Sequence, residues 1–235
     1  MKLKFHSFAI AAALVAALYT VGQSAEPAAP HAAEEAAATP AEALARLKTG
    51  NEHFVSNKVE HPHQTVQWRT TLATGQHPFA IVLGCADSRT SPEVLFDQGL
   101  GDLFVVRVAG NVLSDELLGS IEYAVEHLGA PLIVVLGHER CGAVKAARET
   151  IAAHAEAPGH IQSLVKAIRP AVDATSNADA ETTCKANVIN VVHALQESGP
   201  FLKERVEAGK VKVVGAHYDL DTGAVEFLKE PEAKK

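Results

Sequence analysis

The sequence predicts a three-layer α/β domain: a mostly parallel central sheet of four strands plus a C-terminal strand, with helices on both faces. Three observations predict it. Four short, β-branched apolar runs recur, at residues 79–83, 103–106, 132–136 and 211–214. The first three are apolar almost without interruption, as in strands buried on both faces and therefore parallel. Helix signals separate the runs, and strand–helix alternation with short connections is the α/β pattern.

The elements follow in chain order. Lys2 and Lys4 precede an apolar run from Phe8 to Val21 and then the small residues Gly22, Ser24 and Ala25. That is the layout of a secretory signal peptide over residues 1–25. The run is shorter than the ~20 apolar residues a spanning helix needs. A periplasmic or secreted protein without stable membrane insertion is therefore expected. Residues 26–40 contain seven Ala, three Pro and three Glu and nothing apolar larger than Ala, so they read as a linker. One domain is expected over 41–229, with 230–235 as a charged tail. Its leading helix, an N-terminal helical arm, opens on Thr39, with Pro40 at the first helical position and Glu42 completing a capping box. Leu44, Leu47 and Phe54 share one face of that helix, which must pack on a later element or on another subunit.

Further along, Ser91-Pro92-Glu93 and Ser114-Asp115-Glu116 open helices, the second carrying Leu117, Leu118, Ile121 and Val125. Val188, Val191, Val192 and Leu195 form a later helix face, with Cys184 one turn earlier as a core thiol. A turn over 219–223 leads into the last strand, 224–228. Apolar residues make up 47% of the 235, enough for a core and too many for disorder. Lys and Arg number 21 against 28 Asp and Glu, a net charge of −7 without a basic run, which excludes nucleic acid as a partner. Three cysteines cannot build a disulfide framework.

The chemistry concentrates after two strands. Ala80-Ile-Val-Leu-Gly84 runs into Cys85, and Ile133-Val-Val-Leu-Gly137 runs into His138, with Cys141 three residues on. In a parallel sheet the carboxyl ends of strands line the binding crevice, so these side chains emerge on one edge. Two thiolates and an imidazole suit tetrahedral Zn²⁺, and three protein ligands leave a position open, as catalytic zinc requires. Asp87 and Arg89 stand two and four residues past Cys85 and can form a bidentate pair. Asp87 can also become a fourth ligand or accept a hydrogen bond from a water on the metal. A surface ion pair beside an inert thiol is the alternative reading of the same spacing. His53, His61, His63 and His77 match no ligand set.

On Cys85-Ala-Asp-Ser-Arg89 and Gly137-His138-Glu-Arg-Cys141-Gly142 the sequence resembles the β-class carbonic anhydrases. The likeness runs from Gln76 to Lys145 and takes in Phe104-Val-Val-Arg107, Asn111 and Glu122-Tyr-Ala-Val125. It implies one Zn²⁺ per subunit on Cys85, His138 and Cys141, with Asp87 joining them in a closed state only. It implies an Asp87–Arg89 dyad and a lyase that reversibly hydrates CO₂ to bicarbonate. It also implies a homodimer at least, with a homotetramer as an option. Gln76 falls where plant-type members place a substrate-orienting glutamine from the neighbouring subunit. Phe104 and Tyr123 fall at pocket aromatics, with Gly142 in the same pocket. Val82 stands where one bacterial branch has the Trp of an inhibitory bicarbonate site, so that inhibition is not expected. His127, one turn after Tyr123, is a proton-relay candidate, and a solvent-facing histidine is the alternative. Two rival functions are a CS₂ or COS hydrolase of the same fold and an exported zinc-binding protein without turnover.

Overall fold

The structure is a computed structural model that describes residues 38–229. The expected signal peptide, nearly all of the expected linker and the charged tail lie outside the described residues. The first element of the described residues is α1 (Pro40–Val55), and its start is the expected capping box. Thr39 Oγ1 accepts from the Glu42 N–H at 3.2 Å, and the Glu42 carboxylate accepts from the Thr39 N–H at 2.8 Å. A short α2 (Val66–Leu72) leads to β1 (Ala80–Gly84), α3 (Pro92–Leu95) and β2 (Leu103–Arg107). A single 3₁₀ turn (Ala109–Asn111) precedes α4 (Asp115–Leu128) and β3 (Leu132–His138). Then come α5 (Gly142–Ala152), α6 (Ile161–Ala174), α7 (Ala180–Gln196), α8 (Phe201–Glu207), β4 (Lys212–Tyr218) and β5 (Val225–Phe227). Among the described residues no helix is long and apolar enough to cross a membrane.

The five strands lie in the order β2-β1-β3-β4-β5, the first four parallel and β5 antiparallel to β4. Strand alternation divides the core. Ile81, Leu83, Ile133 and Val135 face α4, α7 and α8 through Ile121, Val125, Val188, Val192 and Leu202. Ala80, Val82, Leu132 and Val134 face Ala43 and Leu47 of α1 and Leu95 of α3. The apolar face of α1 is thus used on its own sheet, the first of the two options its pattern left open. Asn51, buried on α1, stitches that layer together. Its Nδ2 donates to Leu95 O and Gly223 O, and its Oδ1 accepts from the Val225 N–H.

Two strands differ from their sequence expectation. The apolar run of β2 predicts burial on both faces, but β2 is an edge strand and only Val106 is buried. Phe104 and Val106 pack on the α4 side and Leu103 on the α1 side, and the strand is left partly exposed at the rim. β4 continues four residues beyond Val214, to Tyr218, through Gly215 and His217, which break the apolar run. Glycine is needed there because α7 lies close. A Cβ on Gly215 would sit 2.9 Å from Val188 Cγ1, and one on Gly137 of β3 would sit 2.5 Å from Val188 Cγ2.

Candidate metal centre

Sheet topology assembles the site. The chain passes from β1 outward to β2 and then back across β1 to β3, so the strand order reverses between β1 and β3. Crevices in open α/β sheets form at such a switch point, outside the carboxyl ends of the strands. Gly84 pairs with Leu136, so Cys85 and His138 leave adjacent strands almost level. Cys141 follows as the N-cap of α5. All three side chains are buried, and Cys85 Sγ, Cys141 Sγ and a ring nitrogen of His138 lie within 4.8 Å of one another.

The surroundings aim these atoms. His138 Nδ1 donates to the Glu139 carbonyl at 2.8 Å, which leaves the lone pair on Nε2. Nε2 is buried and has no hydrogen-bond partner. A buried polar atom without a partner is costly unless something absent from the protein chain satisfies it. Cys85 Sγ accepts from the Gly110 N–H at 3.3 Å, and Gly110 is positioned in turn by Asn187 Nδ2, which donates to its carbonyl at 2.8 Å. Gly110 adopts φ 74°, and a Cβ there would lie 2.9 Å from Ile168 Cδ1, so this position requires glycine.

Electrostatics point the same way. A hydrogen bond from Cys141 holds Cys85 well below the usual thiol range against its burial, with His138 and the Gly110 N–H assisting. Cys141 is pushed up correspondingly, by that same hydrogen bond and by burial. A divalent cation between the two sulfurs would let both ionise. Tetrahedral zinc needs ligand atoms roughly 3.5 Å apart, and two sulfurs with one imidazole nitrogen form a suitable set. The residues fit the metal.

Beside them Asp87 and Arg89 form the expected dyad. Arg89 Nε and Nη2 donate to the two Asp87 oxygens at 2.9 and 2.7 Å, and the Arg89 N–H donates to Oδ1 at 3.0 Å. The guanidinium hydrogen bond holds the Asp87 carboxyl far below the ordinary carboxylate range, against partial burial. Asp87 Oδ2 is 3.9 Å from His138 Nε2, so the carboxylate borders the ligand cluster while committed to Arg89. A Cβ on Gly142 would meet nothing within 4 Å, so the space at the residue after Cys141 is open. Arg107 has a role that its motif alone does not reveal. It closes β2 by donating to the carbonyls of Cys85 and Asp87, which fixes the loop that carries the dyad. The charged residue ending an apolar strand was the available signal.

Other expected pocket residues lie elsewhere in the chain. Gln76 is exposed and precedes β1, at the end of that strand opposite to Cys85. Phe104, the second residue of edge strand β2, packs against the α4 side of the core. Tyr123 is half-exposed on α4, its ring 4.9 Å from that of His127. His127 occupies the last turn of α4, about 18 Å along the helix from Asp115, near the start of β3 rather than its end. The structure therefore does not bring this relay candidate to the ligand cluster of its own chain. Cys184 is buried on α7 as a core thiol. His53 and His63 pair with Asp97 and Asp102.

A profile of the carbonic anhydrase family matches residues 80–225, which include every element from β1 to the start of β5. The chain is 44% identical over 189 residues to carbonic anhydrase 2 of Mycobacterium tuberculosis, covering 78% of this chain and 90% of that one. Among solved structures, the β-carbonic anhydrase CcaA matches with a TM-score of 0.63 at 26% identity, covering 78% of this chain and 94% of that one. CafA, the β-carbonic anhydrase of Aspergillus fumigatus, matches with a TM-score of 0.62 at 28% identity, covering 81% and 92%. These likenesses span the strands that deliver Cys85, Asp87, Arg89, His138 and Cys141, and they place this chain in the β-class carbonic anhydrases.

Proposed function

We propose that the chain reversibly hydrates CO₂ to bicarbonate and a proton, with one Zn²⁺ per subunit on Cys85, His138 and Cys141. One observation carries the reading: His138 Nε2 is buried, unpartnered and grouped with two thiol sulfurs beside a carboxylate that arginine restrains. Zn²⁺ in such a site supplies the Lewis acidity that makes water nucleophilic near neutral pH. CO₂ is small and apolar and gives the protein little to grip, so the protein's work falls on the water. Asp87, ionised and fixed by Arg89, would accept a hydrogen bond from a water beside the ligand cluster and orient it toward the CO₂ carbon. Arg107 keeps the Asp87 loop in place, and the open side at Gly142 admits substrate.

The active unit in this reading is a homodimer or a larger assembly. Gln76, Phe104 and Tyr123 lie away from their own ligand cluster, toward the α2–β1 connection and the β2 rim, where a partner subunit can receive them. Gln76 then donates to a substrate oxygen on which charge develops. The leader-like first 25 residues support export to the periplasm or beyond. The Asp87–Arg89 dyad favours turnover over zinc storage, since a store has no use for a carboxylate restrained in this way.

Metal analysis with stopped-flow CO₂ hydration tests the reading. The expected result is about one zinc per chain and hydration that Cys85→Ser abolishes together with the metal. A zinc-loaded protein inert toward CO₂ would overturn the activity. Full zinc retention by Cys85→Ser would remove Cys85 from the ligand set.

A further inference from the structure

The two residues between His138 and Cys141 are both tied to the connection between β4 and β5. The Glu139 N–H donates to the Tyr218 carbonyl at 2.9 Å, and Glu139 Oε2 accepts from the Leu220 N–H at 3.1 Å. Arg140 forks onto Asp221, with Nη1–Oδ2 and Nη2–Oδ1 both 2.8 Å. The Arg140 backbone sits at φ 50°, a left-handed conformation that long side chains rarely adopt. Such a residue drifts to a commoner conformation unless its surroundings hold it.

The partner strand connection is itself anchored. Asp219 Oδ1 accepts from the N–H groups of Asp221 and Thr222 at 2.8 Å each, and the Gly223 N–H returns to the Asp219 carbonyl at 3.0 Å. Asn51 of α1 holds Gly223 and Val225 from below. Asp221 is therefore a carboxylate at a fixed place. The carboxylates of Glu139, Asp219 and Asp221 come within 4.8 Å of one another, but each is engaged by a backbone N–H or by Arg140, so the trio acts as a clasp.

We propose that Asp221 is a positioning residue for the metal: through Arg140 it holds the 138–141 turn in the shape that keeps His138 and Cys141 converged, and so slows zinc release. The proposal rests on the zinc reading above. Two of the three ligands ride on this four-residue turn, and a three-ligand metal departs once one ligand swings away. The guanidinium fork fixes direction as well as distance, which a lysine would not. Both side chains are largely exposed, at 54% and 71%, so the pair adds little to global stability. Its influence is local to the turn.

Zinc release from the loaded full-length chain into a chromogenic chelator tests this. Asp221→Asn and Arg140→Gln are expected to release zinc about tenfold faster than the parent, the low end for partners behind metal ligands. Their thermal midpoints should match the parent, and swapping the pair (Arg140→Asp with Asp221→Arg) should restore slow release. Parent release should also accelerate at ~1 M salt while that of the single variants barely changes, because salt screens an exposed ion pair. Parental release rates in both single variants would overturn the clasp while leaving the zinc site standing. A parent chain that takes up no zinc would instead overturn the zinc reading, and the clasp with it.

Discussion

Arg89 grips both oxygens of Asp87 at 2.7 and 2.9 Å while Asp87 Oδ2 stands 3.9 Å from His138 Nε2. In the proposed zinc site one carboxylate thus has two competing partners, a guanidinium and the metal. As long as Arg89 holds it, the fourth position would stay available to water. Arg89→Ala removes the competitor, and Asp87 is free to turn onto the metal. Hydration is expected to fall at least tenfold while zinc content is unchanged, read by stopped-flow and metal analysis on one preparation. Near-parental hydration at neutral pH would show that the dyad does not gate the site.

Asp97 is the buried counterpart on the α1 side. It is nearly inaccessible and accepts from the N–H groups of Glu60 and His61 at 2.8 and 3.0 Å, with His53 Nδ1 at 3.2 Å. Burial opposes its ionisation, but these donors more than offset it and leave the carboxyl below its ordinary range. A depressed carboxylate stabilises the fold above its unfolded pKa of ~3.9, and that contribution disappears as pH falls through the folded value. Asp97→Asn should therefore cost about 2 kcal/mol at pH 7, with the difference shrinking below about pH 4. Denaturant melts of both proteins across that range check it. A deficit independent of pH would assign the loss to packing instead.

Gly137 immediately precedes His138, and a methyl group there would lie 2.5 Å from Val188 Cγ2. Gly137→Ala is expected to push α7 off β3 and destabilise by roughly 1–3 kcal/mol. Adding Val188→Ala opens the space and should recover part of the loss. If the double variant is less stable than the sum of the two single effects, the clash is not the cause.

Gln76 tests the shared site. Gln76→Ala touches no core residue and should keep parental zinc and stability, yet lose hydration by about 10²-fold, the scale of a missing donor. Mixing it with inactive Cys85→Ser should restore activity as subunits exchange, since Cys85→Ser chains still offer Gln76 to a partner's intact ligand set. Mixtures that stay inactive despite proven exchange would mean that Gln76 does not serve a partner.

The local pattern of the chain was enough for the presence of the strands, the capping box of α1, the start of α4 and the gathering of Cys85, His138 and Cys141. Those features rest on neighbours in sequence: apolar runs, a Thr39–Glu42 box, and cysteine or histidine placed where a strand must end. The sequence also supplied the Asp87–Arg89 pair, whose partners are two residues apart. Tertiary structure alone decided the rest. α2 and α8, seven residues each, are too short to display a periodic face. Gly215 interrupts the run of β4 because α7 presses on that strand, a demand visible only once α7 is packed. The edge position of β2 depends on strand order, which no single segment encodes. Arg140 finds Asp221 across 81 residues, and Asn51 finds Gly223 across 172. A hydrogen bond between distant residues leaves no periodicity in either segment, so only the folded chain can pair them.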